Sequence, residues 1–455
     1  MKITLLSLAI ASAFAVALLT RPSPPQPAVS PSAAAASVTD PAAILAAMPP
    51  ASSASESGRL RAAAQAKAAA APDDSKAWSL LGDALAQEFR DTANESLYDH
   101  AEAAFRRALA LNSRSMEALT GLAWVFGGRH EFADSIAWAE KALALDPKAA
   151  AALGIIGDAH LELGHYDEAA ERYQQMMDAR PDLSSWSRGA HLLWITGDKG
   201  KALWLMEKAI HAGAPFAENT AWCRARLAMM LFHDGALLPA EQALAPALQA
   251  GSRNPHVLLS AGRIAAARGN LDGAAAHFRA ILEAGPHHDA LAALGDIHAA
   301  KGEALAAEKC YTAVEKLHAS HSAKGNHTHL AMARFLADHD RNLIEALRLA
   351  EQAKLTKNVQ EADTIAWVFF KNNDLPRAKE AMKRALKFNT PDAVMRFHAG
   401  MIAAAAGDRV AAQRRLNEAL SMNPSFDLLQ APVALKTLNA LAPAAETAAA
   451  STPAQ

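Results

Sequence analysis

One interval constrains this chain more than any other feature. Pro147 and Pro181 stand 34 residues apart, Ala108 and Ala142 repeat that spacing, and Pro72, Pro255, Pro286, Pro391 and Pro424 each close a further helix-forming stretch. Between prolines one arrangement recurs: a large apolar residue, an apolar–small pair, another large residue, a turn glycine, then alanine, a bulky residue and a final apolar one. Leu153, Ile156-Gly157, His160, Gly164, Ala169, Tyr173 and Met176 form one instance. Leu258, Ala261-Gly262, Ala265, Gly269, Ala274, Phe278 and Ile281 form a second, and Leu291, Leu294-Gly295, His298, Gly302, Ala307, Tyr311 and Val314 a third. A unit this short cannot bury its apolar face alone, so neighbours must stack and share a core. The 455 residues therefore read as one elongated array rather than two or three separate domains. Alanine is abundant and valine sparse, which favours helix over sheet.

The small residues predict the packing. Gly82, Gly157, Gly262, Gly295 and Gly400 fall where two helices cross, and a missing side chain there lets the axes approach. Gly164, Gly269, Gly302 and Gly407 fall between the two helical stretches of a unit, where a left-handed turn residue is wanted. The first unit opens with Trp78, Leu81-Gly82 and Leu85 and resumes at Ala101, Phe105 and Ala108. This resembles the tetratricopeptide repeat, across about residues 58–424 and roughly ten units. The resemblance implies an all-α, right-handed α-solenoid of helix-turn-helix repeats, capped by a helix within 425–442. It also implies that the first helix of each pair lines a concave surface on which a protein or peptide segment docks. Residues 86–100 are expected to lengthen the first unit's inter-helix loop. The eighth unit, 327–354, is the least regular, with Arg334 where a small residue belongs. The segments 218–232 and 397–408 are similar to a group of exported bacterial tetratricopeptide proteins.

The N-terminus predicts a destination. Met1-Lys2 is a short positive region, the run from Ile3 to Leu19 is apolar apart from Thr4, Ser7 and Ser12, and Ala15 and Ala17 form an A-x-A site. Residues 1–20 read as a Sec-type signal peptide or as an uncleaved N-terminal membrane anchor. Either reading places the remainder beyond the cytoplasm, exported to the periplasm or cell envelope. Residues 21–57 are rich in proline, alanine and serine and are expected to form a flexible linker; 443–455 are expected to form a disordered tail.

Chemistry is scarce. There is no phosphate-binding glycine loop, nucleophile elbow, H-E-x-x-H or EF-hand loop, so the chain reads as no enzyme and no cofactor is expected. With 45 basic and 47 acidic side chains it lacks the basic excess of a nucleic-acid binder. Cys223 and Cys310 lie two repeats apart, too distant for a disulfide. Counting from each repeat's register, the inward positions are Asp83, Trp124, Asp158, His191, Met229, Phe232, Arg263, Asp296, Trp367, Phe370, Phe397 and Met401. The last four form an apolar stretch, and Trp367, Phe370 and Met401 are the expected anchors for a partner segment. A second reading is metal handling through His318, His321, His327, His329 and His339.

Overall fold

The computed structural model describes residues 40–51, 55–92, 94–213, 217–322, 329–353 and 356–441. Among them every regular element is an α-helix. Ten helix pairs run from Ser75–Thr92 with Leu97–Leu111 to Ala393–Ala405 with Arg409–Met422, each packed on the next. The closing helix, Gln430–Ala440, buries Ala431 and Ala434 against the last pair. Helices begin where a short polar side chain takes up free backbone N–H groups: Ser115 accepts from the Ala118 N–H, and Asp182 and Ser185 form a reciprocal capping box.

The glycine pattern has the expected physical cause. A Cβ on Gly157 would sit 2.4 Å from the Tyr173 ring, and one on Gly262 2.3 Å from the Phe278 ring. Phe105 fills the space beside two glycines, Gly82 and Gly121. The bulky residue of each second helix thus occupies the volume vacated in the first.

Three expectations are revised. Pro41–Ala46, inside the expected linker, is a helix whose Ile44 packs with Met48 and Trp78 in the N-terminal core. The Arg61 guanidinium donates to the Pro49 carbonyl at 3.0 Å and fixes this segment to the helix Glu56–Ala70. In the first unit the additional residues extend the helix to Thr92 instead of forming a loop, because Phe89 packs against Tyr98 and Trp124 with centroids 4.3 and 5.6 Å away. Arg334 does not disrupt the eighth unit: it pairs with Asp338 at 2.7 Å and Asp363 at 3.2 Å. Residues 1–20, most of 21–57 and the tail 443–455 lie outside the described residues.

The array coils until it touches itself. Asn358 donates from Nδ2 to the Glu162 carbonyl at 3.1 Å, Thr390 from Oγ1 to Ile195 at 2.6 Å, and Asn423 from Nδ2 to Phe232 at 2.7 Å. The inter-helix turns of the third, fourth and fifth pairs therefore abut the start of the ninth pair, the start of the tenth, and the segment after it. Asn358 serves both ends at once, since its Oδ1 also caps the N–H groups of Gln360 and Glu361. Tyr166 completes the first contact, accepting from the Val359 N–H at 2.9 Å and meeting Phe388 edge-on at 5.0 Å.

The turn glycines separate this contact from ordinary turn geometry. Gly164 (φ 72°) and Gly269 (φ 81°) share a left-handed conformation, which costs an L-residue about 1–2 kcal/mol. A Cβ on Gly269 meets nothing within 4 Å, whereas one on Gly164 would lie 2.3 Å from the Lys357 backbone. Gly269→Ala is expected to lose about 1 kcal/mol, and Gly164→Ala clearly more because adjacent coils must separate. Urea denaturation of both variants measures the difference. Equal losses would mean that the contact between coils contributes nothing.

Candidate binding cavity

Coiling forms a half-open cavity of about 780 Å³. Most of its wall comes from the inward faces of first helices, with Phe278 and Leu420 added from second helices. Met229, Phe232 and His233 end the helix Ala217–His233, and Arg263 lies on Pro255–Ala267. His288, Asp289 and Asp296 come from His288–Ala300, and Arg334, Phe335 and Asp338 from His329–Asp338. Asp363 and Asp392 follow from the ninth and tenth pairs, and Phe426, Asp427, Leu428 and Leu435 arrive from the closing segment.

Of the expected inward residues, Met229, Phe232, Arg263 and Asp296 meet in this cavity. Asp83 and Trp124 line a separate pocket of about 190 Å³ with Arg90 and Arg188. Asp158 is engaged by Tyr173 Oη at 2.8 Å and by Arg188, and His191 by Arg226 at 2.7 Å. Trp367 is corrected as an accessible anchor and Phe397 as a residue of an open groove: they are 3% and 1% exposed, deep in the C-terminal core. Phe370 and Met401 are half-buried against the same core. Trp367 stacks on His398 at 4.2 Å and packs on Phe370 and Phe397, which close around the indole.

His339 is also corrected as a metal ligand. Its Nδ1 donates to the Phe335 carbonyl at 2.7 Å and its Nε2 to Asp296 at 2.8 Å. The Phe335 carbonyl can only accept, so Nδ1 carries hydrogen, and a carboxylate facing Nε2 favours a proton there as well, which is the imidazolium form. Burial opposes that charge, but the Asp296 carboxylate outweighs it and raises the His339 pKa above 6.5. His318 lies on the helix Ala304–Ser322. His327 and the side chains of His321 and His329 lie outside the description. Among the described residues no three His, Cys, Asp or Glu side chains are disposed to hold a metal ion.

The raised pKa has a sign that can be tested. Protonated His339 stabilises the fold fully below its unfolded pKa, and that contribution disappears as pH rises through the higher folded value. The stability lost in His339→Gln should therefore be larger near pH ~5.5 than near pH ~8.5, by denaturant titration at both values. A difference independent of pH would contradict the charged pair.

The other charges are held by neighbours. Burial alone would raise the Asp363 carboxyl, yet His398, at 2.9 Å, and Arg334 hold it low. Burial would also raise Asp289, but the hydrogen bond from His288 and the Arg263 charge bring it well below the usual carboxylate range. Asp427 behaves oppositely. Burial pushes its carboxyl up, the N–H groups of Gln430 and Leu429 oppose this, and nearby Asp296 and Asp338 add to the rise. Periodicity did not point to Asp392 or Asp427, because both occupy inter-helix segments outside the repeating positions. Their one sequence signal is an aspartate shortly after a proline, which reads as a helix cap, and both do accept from backbone N–H groups.

A coiled array of helix pairs around a lined cavity defines a helical-repeat scaffold. The tetratricopeptide-repeat family model matches residues 93–150, 120–184, 156–218, 239–289 and 259–322. Residues 93–218 and 239–322 thus carry tetratricopeptide repeats. The chain is 33% identical over 119 residues to the formate-dependent nitrite reductase complex subunit NrfG of Escherichia coli O157:H7, matching 26% of this chain and 57% of that one. The chain thus spans little more than half of that relative's length. Among solved structures it is similar to PilF of Pseudomonas aeruginosa (21% identity, 49% of this chain and 92% of the other, TM-score 0.34). It is also similar to the type IV pilus biogenesis factor PilW (20% identity, 44% and 92%, TM-score 0.38).

Proposed function

We propose that this protein is a non-catalytic scaffold of the cell envelope that holds a segment of a partner protein inside its coil. The observation that carries the reading is the 780 Å³ cavity, where Met229, Phe232, Arg263 and Asp296 converge with the closing segment. A volume of this order is that of a small-ligand pocket and admits a few side chains of a partner segment, not a folded domain. The reading of residues 1–20 as a signal peptide or membrane anchor supports the location. No helix among the described residues is long and apolar enough to cross a membrane.

A photo-crosslinking side chain at Ala292, on the cavity wall, should capture a defined partner in intact cells. The same group at Leu305, 84% exposed on a second helix, should not. Filling the cavity with Ala293→Trp should abolish capture at Ala292. Persistent capture after filling, or equal capture at Leu305, rejects the interior site. N-terminal sequencing after cell fractionation tests export, and a cytoplasmic full-length product rejects the location.

A further inference from the structure

Six aspartates line the cavity (Asp289, Asp296, Asp338, Asp363, Asp392 and Asp427) against two arginines, Arg263 and Arg334. The histidines beside them are His233, His288 and His339. Arg334 is spent on Asp338 and Asp363, and His339 on Asp296. The carboxylates belong to five separate elements of the coil, so the negative charge surrounds the space instead of forming one point. Between them Leu428 and Leu435 face the space, backed by the buried rings of Phe232, Phe335 and Phe426.

Two further features point to a ligand. Behind the lining, Gln430, only 8% exposed, donates from Nε2 to Asp338 and from its backbone N–H to Asp427, and its buried Oε1 has no hydrogen-bond partner among the described residues. His233 Nδ1 and His288 Nε2, in two lining residues, are likewise buried without one; the nearest acid to His233 is Asp392 at 3.7 Å. Buried polar atoms in this condition cost free energy until something bonds them, and a peptide backbone offers both donors and acceptors.

Resting on the interior-cavity reading above, we infer that the occupant is a cationic, amphipathic peptide segment, with lysine or arginine side chains between bulky apolar ones. Its cations meet the surrounding aspartates and its apolar side chains meet Leu428, Leu435 and the alanines of the wall. Burial first, and then nearby Asp296 and Asp338, raise the proton affinity of Asp427, and a cation placed beside these three carboxylates opposes that rise.

The probe is a labelled hexapeptide, Leu-Lys-Phe-Lys-Leu-Lys with blocked ends, titrated into the full chain by fluorescence anisotropy. A second peptide carries Gln at each Lys position. The Lys peptide should bind at least about tenfold more tightly, with an affinity that falls as salt is raised. Asp289→Asn with Asp427→Asn should remove most of that preference while leaving the Gln peptide unchanged, since asparagine keeps the cap at Asp427. If the double variant melts early, Asp427→Asn alone with the salt titration carries the test. Equal affinity for the two peptides, or a preference untouched by the variants, overturns the cationic assignment but leaves the interior site standing. Lys-peptide binding that survives Ala293→Trp overturns the interior site itself. Spermidine displacing the Lys peptide at equal concentration would assign the cavity to a small polyamine and overturn the peptide.

Discussion

Phe278→Ala is expected to cost about 3–5 kcal/mol, because the ring is 2% exposed and fills the space left by Gly262, where no neighbour can collapse inward without moving a helix. In a simple linear array the damage would stop at adjacent units. Here it should reach further. The same core includes Leu258, Leu259, Leu294 and Ile297, and Leu428 packs onto it from the closing segment, more than four repeats away along the chain. Hydrogen exchange should lose protection across residues 255–300 and again near 424–435, with the N-terminal pairs little changed. Uniform loss through all units would reject nearest-neighbour coupling, and unchanged protection at 424–435 would reject the return contact.

Trp367→Ser should behave as a core substitution. The indole is 3% exposed, lies parallel to the His398 ring at 4.2 Å with an interplanar angle of 16°, and packs on Phe397 and Phe370. Its removal should cost about 3–5 kcal/mol in transfer and cavity terms. It also loosens the fully buried His398, whose Nδ1 is held by Asp363. A large fall in melting temperature is therefore expected, and any loss of partner capture would follow from unfolding. Phe370→Ser, at a half-buried position, should fall less. A Trp367→Ser protein that melts like the parent would restore this residue as a surface anchor.

Local features of the fold were legible because they depend on contacts within one repeat. Gly157 and Tyr173, or Gly262 and Phe278, are 16 residues apart and meet across a single helix pair, so their size complementarity is written in the 34-residue pattern. The turn glycines are equally local: the left-handed φ at Gly164, Gly269, Gly302 and Gly407 follows from the need to reverse direction between two helices. Part of the site was legible for the same reason. Repeat register alone places Met229, Phe232, Arg263 and Asp296 on inward faces, and all four line the cavity.

What register could not decide is how far each inward face stays open. That depends on the coil's pitch, which sums small rotations at every interface between pairs and has no residue of its own in the repeat. Gly164 and Gly269 look identical in sequence and share a backbone conformation, yet only Gly164 presses on another coil. Trp367 and Asp296 are both inward by register, but the first is sealed by His398 and its neighbours while the second faces the cavity. Asp427 joins that cavity from outside the repeats altogether. The sequence by itself determined helix pairs, their crossings and their turns, because those are contacts between near neighbours. Only the tertiary structure decided which inward residues a partner can reach, because that rests on hydrogen bonds such as Asn358 to Glu162, closed across 196 positions of chain.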